Sequence, residues 1–248
     1  MRLLLALIIA ISGALSAGAV EMKETAFGGK RYIVCTVDPK TERLELFLKD
    51  ENGAVLHKFS AIEAMLGAHG QRLVFGMNGG MFHPDYAPVG LFVADGRELT
   101  PLNTGAAEGN FFLKPNGVFA VLKDGTAVVA EASRWPAFTG KARLATQSGP
   151  MLVIDGKLHP VFRAESDSRL FRNGVGIGPD GKALFVISSE PVNFHEFATL
   201  FRDALGCRNA LFLDGTISSL HAPELKRSDD YKFPLGPILG VTADKPKP

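Results

Sequence analysis

Short apolar or alternating runs, separated by Asp-Gly and Asn-Gly pairs, recur along most of this chain. Residues 31–37 and 44–48 read as strands, and a turn at Asp50-Glu51-Asn52-Gly53 leads into a third at 54–59. Leu73-Val74-Phe75-Gly76-Met77 lacks polar alternation, which predicts a strand buried on both faces that runs straight into Asn78-Gly79-Gly80-Met81-Phe82. Through the middle, Asp95-Gly96, Asn116-Gly117, Asp124-Gly125, Asp155-Gly156 and Asp180-Gly181 each sit beside an apolar segment. That is hairpin chemistry, in which the turn centre needs φ > 0.

Helical signals are fewer. Ser60-Ala61-Ile62-Glu63 has the form of a capping box, with Gly67 or Gly70 closing a short helix. The better-marked helix starts at Asn193, with Glu196 completing its capping box and Val192 placed to staple Phe197. Phe194, Phe197, Leu200, Phe201 and Leu205 form its apolar stripe, and Gly206 ends it. A strand at 183–187 precedes this helix and the run Leu211-Phe212-Leu213 follows it, which is the spacing of a βαβ unit. Such a unit brings Ser188, Ser189 and Glu190 to the same rim as Asp214. Residues 234–241 suit an edge strand. The pattern as a whole predicts an α+β fold: a large twisted mixed β-sheet, rich in hairpins, with a few helices packed outside and one βαβ unit among them.

Composition adds an address. Arg2, an apolar stretch over 3–11 and the Ala17-Gly18-Ala19 step predict a secretory signal peptide over residues 1–19, with an uncleaved anchor as the alternative, followed by one domain over 20–248. The expected location is the periplasm or the medium, with no membrane span after cleavage. A formal net charge of +1 argues against nucleic acid or an anionic membrane as the main partner. Cys35 and Cys207 are the only cysteines, and either a disulfide or two buried thiols would suit them. No ligand spacing calls for a metal or other cofactor, although Asp85, Glu190 or Asp214 could hold a divalent cation weakly.

The candidate chemistry gathers where buried strands end. Asp214 closes an apolar run and opens Gly215-Thr216-Ile217-Ser218-Ser219, so it is either an Asp-Gly turn or a carboxylate held at the rim of the core. Arg172-Asn173-Gly174-Val175-Gly176 can present an arginine fork and backbone N–H groups to a phosphate or carboxylate, or be a solvated loop. Thr146-Gln147-Ser148-Gly149 is a second polar stretch before a strand. Ser148 lacks the G-x-S-x-G elbow of a nucleophile. His83 and His195 suit hydrogen-bonding or capping positions better than metal ligation.

Taken together, Asn78-Gly79-Gly80-Met81-Phe82, Gly149-Pro150-Met151-Leu152-Val153, Arg172-Asn173-Gly174-Val175-Gly176 and Leu213-Asp214-Gly215-Thr216-Ile217-Ser218-Ser219 resemble the phosphodiester glycosidase family, over roughly residues 32–241. Gly79 stands where the family has alanine, and Thr216 and Ile217 replace two glycines. The resemblance implies a hydrolase that cleaves the glycosidic C–O bond of a sugar-1-phosphodiester in a carbohydrate or phosphoglycan. Under it Arg172 clamps the phosphate, Asp214 acts at the anomeric carbon as nucleophile or base, and Asn78 hydrogen-bonds sugar or phosphate. Glu190 is the expected second carboxylate. Gly79, Gly80, Gln147, Ser148, Gly149, Asn173, Gly215 and Ser218 are the expected substrate-binding positions. The alternatives are a non-catalytic glycan- or phosphoglycan-binding protein on the same fold, and a metal-assisted phosphodiesterase that breaks the P–O bond.

Overall fold

The computed structural model describes residues 20–215, 217–230 and 233–246; the expected signal peptide and Thr216 lie outside them. In chain order its first elements are β1 (Glu21–Phe27), β2 (Lys30–Val37), β3 (Arg43–Phe47), α1 (Phe59–Ala68) and β4 (Gln71–Asn78). The middle of the chain supplies β5 (Phe92–Ala94), β6 (Arg97–Thr100), β7 (Gly117–Leu122), β8 (Ala127–Glu131), β9 (Ala142–Ser148), β10 (Met151–Ile154) and β11 (Lys157–Leu158). Then come β12 (Asn173–Ile177), β13 (Ala183–Ser188), α2 (Phe194–Thr199), β14 (Ala210–Asp214), β15 (Leu220–Ala222), β16 (Arg227–Ser228) and β17 (Ile238–Asp244).

These strands form three sheets instead of the one mixed sheet expected. Their orders are β1-β2-β13-β12-β14-β10-β11, β16-β15-β4-β17-β3 and β6-β5-β9-β7-β8. Every ladder among the described residues is antiparallel. All three sheets contribute to one central core, in which Phe75, Phe119 and Phe185 meet at ring-centroid distances of 5.2 and 5.4 Å. Each sheet also carries a smaller apolar cluster on its outer side.

The expected βαβ unit is split. β13 and β14 do not pair, because β12 lies between them, antiparallel to both. They still point the same way. The reason lies in Gly174 and Gly176, which the sequence reading placed in a loop. A Cβ on Gly174 would sit 2.7 Å from the Leu211 carbonyl oxygen; one on Gly176 would sit 2.7 Å from Cys207 Sγ and 2.8 Å from the Phe201 ring. The glycine strand therefore lets the aromatic stripe of α2 lie flat on it, and the crossover spans three strands.

Other expectations divide in the same local way. Asp95-Gly96 and Asp155-Gly156 are tight hairpins with φ of 49° and 72°, and of 48° and 84°. Asn116-Gly117 is no turn: Gly117 opens β7 and packs against Met151 Sδ, while Asn116 Nδ2 donates to the Phe111 carbonyl. The Asn193–Glu196 capping box is present in full, and the helix continues as a π-turn over Leu200–Ala204. The one expected at Ser60 is not. Lys58 is the N-cap, the Asp230 carboxylate accepts the Ser60 N–H, and Glu63 accepts the Leu73 N–H at 2.9 Å instead. The segment at 54–59 makes only a single bridge at Val55. β17 is no edge strand either, since it lies between β4 and β3 with its backbone bonded on both sides.

Candidate active site

β4, β9 and β14 belong to three different sheets, and their C-terminal ends converge. Three buried polar contacts join them there, the third through Asn173 of β12, which pairs with β14. Thr146 Oγ1 donates to the Gly79 carbonyl at 2.8 Å, Ser148 Oγ donates to the Leu213 carbonyl at 2.8 Å, and Asn173 Nδ2 donates to Asn78 Oδ1 at 2.8 Å. Asn78 and Asn173 are both fully buried. A polar group so placed has to be bonded, so these residues fix the relative positions of the sheets.

Asp214 sits directly on this seam. Its backbone N–H donates to Asn173 Oδ1 at 2.8 Å, and its own carboxylate accepts the Gly215 N–H at 2.6 Å. Asn78 Oδ1 also accepts the Ser219 N–H at 2.9 Å, and Ser218 Oγ donates to the Asp214 carbonyl at 3.2 Å. The loop after β14 is thereby wound onto the two asparagines. Protein crowds the Asp214 carboxylate on most sides, and this loss of water pushes its pKa up to about 7. The Gly215 N–H and the Asn78 amide pull weakly the other way. Asn78 Nδ2 has no other hydrogen-bond partner, so the one donor it offers is directed at the carboxylate.

The remaining face of Asp214 opens onto a cleft of about 400 Å³, lined by Met81, Phe82, His83, Glu108, Phe112 and Ile217 among others. Sequence reading did not place Glu108 here. It lies between Gly105 and Gly109, in a stretch with no apolar period to mark it. The start of its loop is anchored by Gln147, whose Oε1 accepts the N–H groups of Leu91 and Asn103 while its Nε2 donates to the Asn103 carbonyl; Glu108 itself is exposed. A second cavity, of about 430 Å³, lies at the other end of β14 beside Arg208 and Asn209. Its Arg134 is paired with Asp155 and its Glu131 accepts from Ser133. Asp214, whose carboxyl pKa is pushed up to about 7, is in the first.

Several expected site residues serve the seam and not the cleft. Gln147 and Ser148 are buried and fully engaged as described. Gly149 packs against Asn116 and the Phe111 carbonyl, and the Gly79 N–H donates to Pro237. At Gly80, φ is +153°, and a Cβ would press on Thr146 Oγ1 at 2.9 Å, so glycine is required for the backbone.

Arg172 lies away from the cleft. The expected phosphate clamp is 1% exposed and does not line the cleft. Its Nε donates to the Val192 carbonyl at 2.9 Å and its Nη2 to the Ser168 carbonyl at 3.0 Å, while the guanidinium lies 3.7 Å from the Phe194 ring centroid. Burial lowers its pKa to about 10. Glu190, the expected second carboxylate, accepts from Lys30 Nζ and the Arg31 N–H at 3.1 Å each. Those bonds keep its pKa low and tie it to the β1–β2 hairpin. The two cysteines are separate thiols in different clusters, and burial pushes both up to about 12.

Among the described residues no group of three or more His, Cys, Asp and Glu could hold a metal ion, and no helix is long and apolar enough to cross a membrane.

Comparison with known proteins gives the family and the fold. The Escherichia coli (strain K12) protein YigE, itself uncharacterized, is 38% identical over 188 residues, which is 75% of this chain and 72% of YigE. The zebrafish N-acetylglucosamine-1-phosphodiester alpha-N-acetylglucosaminidase catalytic domain, solved in a form auto-inhibited by its pro-peptide, superposes with a TM-score of 0.62. That match has 15% identity and covers 94% of this chain and 86% of the zebrafish one. A Burkholderia pseudomallei K96243 protein, whose assigned description is that of an exported protein, gives a TM-score of 0.55 at 15% identity, over 86% of this chain and 74% of its own. The family model for phosphodiester glycosidases matches residues 71–242, a span that begins at β4 and includes Asn78, Asn173 and Asp214. This chain belongs to the phosphodiester glycosidase family.

Proposed function

We propose that this protein is an exported hydrolase that cleaves the glycosidic C–O bond of a sugar-1-phosphodiester, with Asp214 as the base that activates water. One observation carries the reading: a carboxylate with its pKa near 7 facing a cleft large enough for a sugar ring. At that pKa it takes a proton more readily than an ordinary aspartate and is still ionised in useful fraction at neutral pH. Water attacks the anomeric carbon, its proton passes to Asp214, and the C–O bond breaks with its electron pair leaving on the phosphate. A phosphate monoester departs easily, so little acid assistance is needed.

Glu108 is the second carboxylate in this scheme, lining the same cleft and able to offset the positive charge that grows on the sugar ring. Asn78 and Asn173 position Asp214. Arg172 acts at a distance, holding residues 168–172 against α2 so that Asn173 enters β12 in register. Ile217 fills part of the cleft with a branched side chain where the family has glycine, which favours a substrate slimmer at that point than the family's usual one.

Purified protein incubated with an N-acetylglucosamine-1-phosphodiester in oxygen-18 water tests the reading. Sugar release with the label on the sugar, lost in Asp214→Asn, is the expected result. Label on the phosphate would replace it with P–O cleavage. Saturable binding of the diester without release would make the protein a binding module.

A further inference from the structure

A phosphodiester is an anion, yet the described residues lining the Asp214 cleft include two carboxylates and no lysine or arginine. Arg172, the nearest candidate by sequence, is not in that lining: its Nε and Nη2 donate to two carbonyl oxygens, its guanidinium lies on the Phe194 ring, and its partnerless Nη1 is buried away from the cleft. His83 is the one described side chain in the lining that can carry positive charge. We propose that His83 forms the anion subsite of this cleft, donating an imidazole N–H to the phosphate of the substrate; this rests on the hydrolase reading above.

The backbone around His83 is built to hold it still. Its N–H donates to the Ala87 carbonyl at 2.8 Å and its own carbonyl accepts the Tyr86 N–H at 2.8 Å. Phe82 and Pro88 bridge just outside this pair, and Asp85 Oδ1 accepts the Ala87 N–H at 3.1 Å. Residues 82–88 are thus a small closed hairpin with His83 at its shoulder.

Tyr86 completes the hairpin with φ of 67°, a left-handed conformation that glycine would adopt freely and tyrosine adopts only at a cost. Its ring explains the choice. It stacks on Phe82 at 5.5 Å and meets the edge of His57, itself at φ of 59°, at 4.2 Å. Two left-handed non-glycine residues in contact are uncommon, and such strain concentrates at ligand clamps. Here it braces Phe82 and, through the hairpin, His83 at the edge of the cleft.

An imidazole suits this place better than a lysine would. It is short and rigid, so the N–H it offers an anion comes from a fixed position. A charge-assisted hydrogen bond of this kind corresponds to about 10- to 100-fold in affinity or rate.

Two measurements test the assignment on the full-length protein. In the first, the His83 imidazole signals of nitrogen-15 histidine-labelled protein are followed during titration with inorganic phosphate. In the second, kcat/KM of wild type and His83→Gln is compared on a sugar-1-phosphodiester and on an uncharged aryl glycoside of the same sugar. A saturable shift of His83, with about 10- to 100-fold greater loss on the phosphodiester than on the aryl glycoside, is the expected result. Equal losses on both substrates, or no loss on either, would overturn the anion role. Should wild type hydrolyse neither substrate, the hydrolase reading fails, and the titration alone then decides: a saturable shift upholds the subsite and no shift removes it.

Discussion

Asn173 grips Asn78 twice, its Nδ2 donating at 2.8 Å to the side-chain oxygen and at 3.0 Å to the backbone oxygen. Its Oδ1 meanwhile accepts the Asp214 N–H, so one buried amide sets both the spacing of two sheets and the direction of the reactive carboxylate.

Asn173→Ala should therefore be costly in two ways. It leaves the Asp214 N–H without its acceptor and takes from Asn78 one of the donors its oxygens accept inside the core. A loss of about 2–4 kcal/mol in urea unfolding is expected, as is common when a buried bonded group is orphaned. At a temperature where the variant remains folded, kcat should fall further than the unfolded fraction accounts for.

The raised pKa of Asp214 makes a signed prediction about pH. The folded protein holds this proton up to about pH 7, whereas the unfolded chain releases it near pH 4. The contribution to stability is thus fully present below about pH 4 and is lost as pH rises through about 7. Asp214→Asn lacks this dependence. Comparing urea midpoints at pH 4.5 and pH 8, wild type should lose on the order of 3 kcal/mol relative to the variant at the higher pH. Wild-type kcat/KM should rise through the same range, because the ionised form is the base; a fall would make Asp214 an acid instead.

The two glutamates separate by function. Glu190→Gln removes ion pairs with Lys30 and Arg31 on the β1–β2 hairpin, and neither activity nor the melting temperature should change appreciably. Glu108→Gln should leave the fold intact and reduce kcat by about 100-fold or more. Steady-state kinetics on both variants checks the exchange of roles.

Gly176→Ala tests the packing of α2 on β12. The added methyl would meet both Cys207 Sγ and the Phe201 ring, and overpacking of that kind costs about 1–3 kcal/mol. Unfolding in urea measures it. Activity at low temperature should be retained, since Gly176 lies toward the far end of β12 from Asn173.

What the sequence discloses depends on how far apart the interacting residues are. The Asn193–Glu196 box and the Asp95 and Asp155 hairpins were legible because each is decided within a few residues. β12 was not. Its glycines look like loop residues until Phe197 and Phe201 are seen lying on them. Arg172 is misread for the same reason, since its partners at Val192 and Phe194 lie about twenty residues away. Asp214 and Asn78 were legible as strand-end polar residues, but Glu108 and His83 lie in loops that no local pattern brings to the cleft. At Ser60 the local pattern was present and lost to Asp230, a tertiary partner.

The seam formed by Thr146, Ser148 and the Asn78–Asn173 pair has one more implication. Asp214 owes its displaced titration to the alignment of three independent sheets, and a slip of a fraction of an ångström would admit water to the carboxylate. The proton it carries is then a gauge of that alignment. On warming, Asp214 should revert to ordinary aspartate acidity, and turnover should fade, while the aromatic core at Phe75, Phe119 and Phe185 is still closed.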